Sequence, residues 1–325
     1  MMAEWLLHRL VQAFFVILAM TAIVFVGVYA IGNPVDILIP PSATEAERLR
    51  IIAELGLDQP LWRQYLHFLA HAAQGDLGRS FVFNEPALTL ILQRMPATLE
   101  LAVFAILLAL LIGVPLGLYA GLKPNALIAR AIMAISILGF SLPAFWVGIM
   151  LVMVFAVQMG WMPSAGRGET GSFLGIQTSF MTVDGWRHML LPGLNLALFN
   201  ISMTLRLTRA GVREILPLDF VKFARAKGLS PTRVIGVHVL KNIMVPVVTV
   251  VGLEFGTTIA FAVVTETVFA WPGMGKLIID SINVLDRPVI VAYLMIVVVL
   301  FIVINLIVDL LYMVLDPRVR LEAKA

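Results

Sequence analysis

Two kinds of catalytic side chain stand out in this sequence, and neither has the partners that its chemistry requires. Ser141, in the run Gly139-Phe140-Ser141, could act as a nucleophile, but the glycine that normally follows such a serine is missing. A serine nucleophile also needs a base, and no histidine lies within the long apolar segments of the chain. His67 and His71 stand one helical turn apart, which is compatible with zinc or nickel, but a metal site needs at least one further ligand. The sequence therefore predicts neither a catalytic centre nor a metal site.

A nucleotide-binding loop is also missing from the sequence. The P-loop requires a glycine, four further residues, and then the run Gly-Lys-Ser/Thr. The nearest run, Gly275-Lys276-Leu277, has Ala270 in place of the first glycine and a leucine in place of the hydroxyl residue. The chain is therefore expected to hold no cofactor and to hydrolyse no nucleotide itself.

The composition indicates an integral membrane protein. Of the 325 residues, 60% are hydrophobic and only 13% are charged, whereas soluble proteins carry ~25% charged residues. These values exclude a soluble globular enzyme and a disordered chain, and the lack of cysteine excludes a disulfide scaffold. The net charge of +3 is better explained by membrane topology than by binding of nucleic acid.

Six apolar segments are long enough to cross a bilayer, which takes about 20 residues. They are residues 10–31, 101–122, 131–162, 189–205, 242–265 and 288–308, and the last pattern continues to residue 315. The third segment is long enough to tilt or to end in a surface turn at Gly160, and the fourth is the most polar. The first resembles a signal peptide in position, but its uncharged stretch exceeds the ~7–15 residues of a signal core, so we interpret it as a retained span.

Basic residues are more frequent in the segments that lie on the same side of the membrane as the N-terminus. This asymmetry predicts that both termini are cytoplasmic. The predicted parts are the N-terminus with the first span (1–31), an external domain (32–97), a core with spans two to six (98–315) that contains a cytoplasmic loop (206–242), and a cytoplasmic tail (316–325). In the external segment, Ser42 and Glu45 have the spacing of a capping box at a helix start, and a second helix is predicted for Leu61–Ala73.

The cytoplasmic loop is predicted to form two short helices that meet at a corner. Asp219 is a suitable N-cap for a helix of about two turns. Gly228 supplies the left-handed conformation that ends a helix, and Ser230 with Pro231 then begins the second helix. This second helix is expected to continue through Val239 into the fifth span.

The first helix of the loop has a face that suits either a protein groove or the lipid headgroups. This face is predicted to carry Phe220, Phe223, Ala224 and Lys227, from which Lys222 and Arg225 diverge. A small residue such as Ala224 on an apolar face favours docking into a groove. A connector that lies on the headgroups would have the same spacing, so the pattern by itself leaves both interpretations open.

Several segments resemble the ABC importer permeases of the dipeptide, oligopeptide and nickel branch. The coupling loop of the wider family has Glu-Ala-Ala, three residues and then Gly; here Ala224 and Gly228 match, and Lys222 with Phe223 replaces the first two residues. Lys241 replaces a later proline. The other matching runs are Phe223–Ser230, His238–Asn242, Val245–Val247, Gly75–Ser80, Pro96–Glu100 and Pro272–Gly275, so the resemblance covers essentially the whole chain.

This resemblance implies an architecture and a set of partners. The expected fold is all-α, with six transmembrane helices arranged as in type I ABC importer permeases and a small external domain between spans one and two. The implied partners are a second homologous permease, two cytoplasmic ATPase subunits that bind ATP and Mg, an external substrate-binding protein and the bilayer of the bacterial inner membrane. The implied coupling loop comprises Asp219, Phe220, Lys222, Phe223, Ala224, Arg225, Lys227, Gly228, Ser230 and His238.

Polar residues within the spans are candidates for the translocation path. Glu254 lies in the middle of the fifth span, where a charge is costly and therefore points to function. It is predicted either to face the path, where it can contact the amine of a peptide, or to act as a strut between helices. Asn195 and Asn200 of the fourth span and Gly256 beside Glu254 complete the predicted path, and Gly252 with Gly256 has the spacing of close helix packing.

A predicted external loop follows the fifth span and contains Glu266, Trp271, Pro272 and Gly273. The resemblance implies that it lies near the mouth of the path and contacts the binding protein, while a plain surface turn with an interfacial tryptophan is the alternative. The implied function is that of a transmembrane permease subunit of an ATP-driven importer, which forms half of the translocation path for a peptide-like solute. The alternatives are an intramembrane hydrolase, a passive channel, or a permease for glutathione, a nickel chelate or another small solute.

Overall fold

The computed structural model describes residues 2–30, 44–54 and 58–315. Its helices are α1 (Met2–Ala30), α2 (Glu45–Glu54), α3 (Leu61–Ala73), α4 (Ala87–Leu122), α5 (Leu127–Ser141), α6 (Ala144–Leu151), α7 (Val183–Ile215), α8 (Asp219–Ala226), α9 (Pro231–Arg233), α10 (Lys241–Val268), α11 (Met274–Asn283) and α12 (Arg287–Leu315). Two π-helical segments, Val152–Gln158 and Val234–Leu240, extend α6 and join α9 to α10. Between α6 and α7 lie an antiparallel hairpin of β1 (Gly171–Phe173) with β2 (Ile176–Thr178) and a short 3₁₀ helix, Ser179–Met181.

The predicted all-α membrane fold is confirmed, with five or six candidate spans. In the described residues, five helical segments are long and apolar enough to cross a membrane: α1, α4, α7, the continuous α9–α10 segment and α12. Helices α5 and α6, with the π-helical segment that follows, pass the same test only together, and they are bent by 107°, which is the geometry of a broken sixth span or of a re-entrant loop. Of the two expectations for residues 131–162, the single tilted helix is therefore wrong.

Pro143 explains this bend. A proline lacks the backbone N–H that a helix needs, and it disfavours helical backbone in the residue before it. Leu142 accordingly has extended backbone, with φ −80° and ψ 137°, and α6 begins after Pro143. The predicted turn at Gly160 is present, with φ +65°.

The helices before the second span differ in detail from the prediction. Helix α3 covers Leu61–Ala73, as predicted, but α2 begins after Thr44, whose backbone N–H and hydroxyl both bond Glu47 Oε2 at 2.9 Å. The capping pair is therefore Thr44 with Glu47, and Ser42 lies outside the described residues. Helix α4 begins at Ala87, inside the predicted external domain of residues 32–97, and that domain stays a prediction.

The described residues form two compact units. The first lies within residues 1–94 and 277–302, and the second lies within residues 95–276 and 303–325. In the first unit, α1 contacts α3, where Thr21 Oγ1 lies 2.9 Å from the hydroxyl of Tyr65, and Ser80 donates a hydrogen bond to the carboxylate of the buried Asp286.

The second unit depends on a close approach of α4 and α7. Gly113, Gly117 and Gly121 recur one turn apart along α4 and face α7. A Cβ atom at Gly113 would lie 2.9 Å from Thr204 Cβ, and one at Gly121 would lie 2.6 Å from Val212 Cβ. Small residues at this spacing let transmembrane helices pack closely, so this contact fixes the position of α7. The same spacing is visible in the sequence, although the predicted packing pair was Gly252 with Gly256.

Candidate functional site

A cavity of about 510 Å³ lies among α5, α6, α7 and α10. Its wall is mostly apolar and includes Phe140, Phe199 and Phe261, of which Phe140 and Phe199 stack with ring centroids 5.0 Å apart. The volume lies within the ~300–1,000 Å³ range of small-molecule sites. Its polar wall is formed by Asn195, Asn200, Glu254, Thr257, Thr258 and Thr265.

These polar side chains form two facing rows. On α10, Glu254, Thr258 and Thr265 recur at helical spacing and therefore share a face. The amide Nδ2 of Asn195 donates to Thr265 Oγ1 at 2.9 Å, and Nδ2 of Asn200 donates to Thr258 Oγ1 at 3.0 Å. The hydrogen bonds therefore hold the polar faces of α7 and α10 against each other beside the cavity.

The structure brings together three of the four predicted path residues. Asn195, Asn200 and Glu254 line the cavity, whereas Gly256 is buried and is not among the lining residues. Thr257 Oγ1 lies 2.8 Å from both Glu254 Oε2 and the backbone carbonyl O of Glu254, so its single hydroxyl hydrogen is shared between two acceptors of the same helix. Such a local bond does not join helices, so the geometry favours the path interpretation over the strut. Gly252 instead makes the close packing contact, with Val308 of α12.

The hydroxyl residues and aromatic rings of this cavity are not among the predicted site residues. Thr258 and Thr265 were detectable, because they lie one and three turns after Glu254 and therefore share its helical face. The contributions of Phe140 and Phe261 were not detectable in this way, since every predicted span contains at least one aromatic residue.

The second candidate site is the connection between α7 and α10, residues 219–240, which we call the elbow. Helix α8 begins after Leu218, whose backbone is extended and whose side chain makes no cap. Asp219 is therefore in the first turn and is not the N-cap that we predicted. Its Oδ1 lies 2.9 Å from Lys222 Nζ, and this hydrogen bond and charge hold the pKa of Asp219 below its ordinary value.

The predicted corner of the elbow is present. Gly228 has φ +75°, a left-handed conformation that costs other residues roughly 1–2 kcal/mol. Ser230 Oγ accepts a hydrogen bond from the backbone N of Arg233 at 3.4 Å, and Pro231 occupies the first turn of α9. The chain then continues through the π-helical segment, which contains the half-buried His238, into α10.

Helix α8 presents a different face from the one that we predicted. Val221 (0% exposed) and Ala224 (3%) pack inward on a hydrophobic cluster that includes Val234. Phe220 (43% exposed) and Phe223 (61%) lie outside. Ala224 is therefore wrongly assigned to a docking face, because packing within the chain already covers it.

The outer face of α8 combines aromatic rings with positive charge. The Nζ atom of Lys227 lies 4.7 Å from the ring centroid of Phe223, which is a cation–π contact, and Lys222 and Arg225 are also exposed. Aromatic residues and arginine are enriched in protein interfaces, so Phe220, Phe223 and Arg225 are the members of this face that resemble an interface.

The predicted contact site for a binding protein lies inside the protein. Glu266 belongs to α10 and, like Trp271, is 0% exposed, while Gly273 is buried and Pro272 is half-buried. Burial contradicts a direct partner contact by Glu266, Trp271 or Gly273 in this conformation.

Hydrogen bonds explain this burial. The Glu266 carboxylate accepts from Thr98 Oγ1 at 2.6 Å and from the backbone N of Lys276 at 2.9 Å. The indole N of Trp271 donates to the carbonyl O of Ala97 at 2.9 Å. We call this group the Glu266 network; its members are Ala97, Thr98, Glu266, Trp271, Met274 and Lys276. It connects α4 to the C-terminal end of α10.

Two family descriptions match this chain. Residues 113–321 match the family described as binding-protein-dependent transport system inner membrane component, and residues 2–102 match the N-terminal membrane component of such systems. The chain belongs to this family of permeases. The resemblance in the sequence is thereby confirmed, and the permease is a non-catalytic membrane subunit of an ABC importer.

Relatives extend this similarity over nearly the whole permease. A di/tripeptide transport system permease protein of Pseudomonas aeruginosa is 39% identical over 89% of this chain and 90% of its own length. A glutathione transport system permease protein of Escherichia coli is 36% identical over 98% of this chain and 99% of its own length.

A solved structure shows the shared fold. The MetNI methionine ABC transporter, solved in inward-facing conformations, has a chain that matches 71% of this permease and 99% of its own length, with a TM-score of 0.53 and 18% identity.

Proposed function

We propose that this permease passes a peptide-like solute through the cavity and that cytoplasmic ATPase subunits drive the passage through the elbow. The names of the di/tripeptide and glutathione relatives support a peptide, and glutathione is itself a small peptide. The size of the cavity and its mixture of apolar and polar walls are compatible with such a solute.

The observation that carries the proposal is the connectivity of the two helices. Helix α7 bears Asn195 and Asn200 and ends at Ile215, just before the elbow, and the helix that bears Glu254 begins directly after it. At 1.5 Å per residue, the elbow lies roughly 20 Å from the cavity along both helices. A displacement of the elbow is therefore transmitted to both polar walls of the cavity at once.

The proposed assembly contains two permeases, two ATPases that bind ATP and Mg, and an external binding protein. The exposed Phe220 and Phe223 would be covered by an ATPase, because clustered exposed aromatic rings mark interaction surfaces. In this arrangement the permease lies in the bacterial inner membrane, and the elbow and both termini are cytoplasmic.

ATP-driven uptake of labelled dialanine into proteoliposomes that contain all the subunits tests this proposal. Phe223→Ala is expected to lower uptake about tenfold or more, since an aromatic interface anchor contributes roughly 2 kcal/mol. Phe173→Ala is the matched control, because this phenylalanine is comparably exposed (55%) but lies in the β hairpin. Equal uptake by the two variants would contradict coupling through α8.

A further inference from the structure

The cavity has more hydrogen-bond acceptors than its own donors satisfy. Asn195 and Asn200 are each 4% exposed, and the Oδ1 atoms of both accept no hydrogen bond from the described residues. Buried acceptors without a donor are rare in folded proteins, because each has lost the hydrogen bonds that it makes with water. Glu254 adds a carboxylate to the same wall, and only its Oε2 accepts a side-chain hydrogen bond from the described residues.

The hydrogen bonds of Thr258 determine which amide atom of Asn200 remains available to a ligand. Thr258 Oγ1 donates to the backbone carbonyl O of Glu254 at 2.6 Å, so its single hydroxyl hydrogen is already used. The hydroxyl must therefore accept from Asn200, which turns the Nδ2 atom of this asparagine toward Thr258. The Oδ1 atom of Asn200 is left as an acceptor, and the Thr258 to which Asn200 is bonded lies one helical turn after Glu254 on α10.

The charge on the cavity wall is negative. The lining residues include the carboxylate of Glu254 and, among the described residues, no arginine, lysine or histidine. Arg206 lies nearby, but its Nε donates to the carbonyl O of Ser202 at 3.2 Å and its guanidinium stacks on Phe140 at 4.3 Å. No ion pair with Glu254 is present in the described part of the chain.

We infer that the cavity is a binding site for a primary ammonium group, held by the Glu254 carboxylate and by Asn200 Oδ1. An ammonium has three N–H donors and no acceptor, which complements a wall of acceptors. The ring of Phe261 is suited to the apolar or cationic part of the same ligand, whereas the two faces of Phe140 are already covered by Phe199 and Arg206. The inference rests on the proposed function, because it assigns the ammonium to the N-terminus of the transported peptide.

Asn195 provides a second contact at a useful distance. It lies five residues before Asn200 on α7, which is about 7.5 Å along the helix. An extended peptide advances about 3.3–3.6 Å per residue, so Asn195 Oδ1 is placed to accept an amide N–H one or two residues after the bound N-terminus. The cavity therefore recognises the start of a peptide backbone and leaves the side chains to the apolar wall.

Direct binding to the assembled complex without the binding protein tests this inference. The probes are labelled dialanine, dialanine amide and N-acetyl-dialanine. Dialanine and its amide both carry the ammonium and are expected to bind with similar affinity at millimolar concentrations. N-acetyl-dialanine lacks the ammonium and is expected to bind at least about tenfold more weakly, because it leaves the half-buried Glu254 carboxylate unpaired.

Variants on α10 separate the two roles of the carboxylate. Glu254→Gln is expected to lower the affinity for dialanine and its amide about tenfold and to leave that for N-acetyl-dialanine unchanged. Thr257→Val removes the hydroxyl that bonds Glu254 and is expected to weaken dialanine binding several-fold. Thr249→Val is the matched control, since this hydroxyl bonds the carbonyl O of Val245, away from the cavity, and binding should not change.

Three results would overturn the inference. They are equal binding of the acetylated and free peptides, an equal loss for all three probes in Glu254→Gln, and no binding of any probe to the wild-type complex. ATP-driven uptake measured on the same preparations tests the proposed function separately. If uptake is intact and any of these three results is found, only the ammonium site is contradicted. If uptake fails, the proposed transport function itself is contradicted.

Discussion

The two regions predicted to contact partners lie at the two ends of α10, and they differ in the exposure of their side chains. At the N-terminal end, the elbow exposes Phe220 and Phe223 to the surroundings. At the C-terminal end, the Glu266 network buries a carboxylate and an indole completely. The carboxylate and the indole are therefore buried at one end, whereas the two phenylalanines at the other end are exposed, although a charged group is usually the one that faces solvent.

Hydrogen bonding explains this difference. The Glu266 carboxylate has donors from Thr98 and from the Lys276 backbone, so its burial leaves these acceptor oxygens satisfied. Phe223 has no comparable compensation within its own chain, apart from the contact with Lys227. Satisfied polar groups point to structural roles, and unsatisfied apolar surface points to a partner. The C-terminal end of α10 is therefore held in place by contacts within the chain, whereas the elbow exposes the surface that we propose contacts a partner.

The largest expected effect follows from removing the Glu266 carboxylate from its network. Glu266→Ala leaves the hydroxyl of Thr98 and the backbone N–H of Lys276 without their acceptor and opens a void, which should cost on the order of 3 kcal/mol or more of unfolding free energy. Thermal unfolding of the purified complex in detergent is the measurement. Glu169→Ala is the control, because this exposed side chain makes no hydrogen bond with the described residues.

An unchanged melting temperature in Glu266→Ala would show that the network contributes little to stability. The contrast between the two ends of α10 would then rest on exposure alone.

A smaller effect is expected at the corner of the elbow. Gly228→Val forces a β-branched residue into a left-handed conformation, which should cost roughly 1–2 kcal/mol and reduce coupled uptake about tenfold while ATP hydrolysis continues. Gly236→Val is the matched control. A Cβ atom at either glycine meets nothing within 4 Å, but only Gly228 is left-handed.

The two valine variants therefore differ in backbone strain and not in crowding. Equal uptake and equal ATPase activity in both would show that the shape of the corner is unimportant for coupling.

Features that depend on a few neighbouring residues could be predicted from the sequence. The spans follow from long apolar runs, and Gly228, Ser230 and Pro231 define the corner through their own backbone preferences. The bend between α5 and α6 was equally local, since Pro143 is visible in the sequence, but the continuous apolar pattern obscured it.

Features that depend on distant contacts could not be predicted. Thr98 precedes Glu266 by 168 positions, so no local pattern shows that this carboxylate is satisfied inside the protein. The inner face of α8 is chosen by packing on residues such as Val234, and the sequence spacing fits Ala224 on either face. The polar wall of the cavity was predicted in part, because a charge or amide within a span is conspicuous wherever it lies.

The accessibility of single cysteines on α8 tests the central claim most directly, and the chain has no natural cysteine to interfere. Phe223→Cys should react readily with a maleimide in the permease alone and should be protected when the ATPase subunits assemble. Ala224→Cys should be protected in both states, because this position packs inward. If the cysteine at position 223 reacts equally with and without the ATPases, the elbow is not the surface through which they drive the permease.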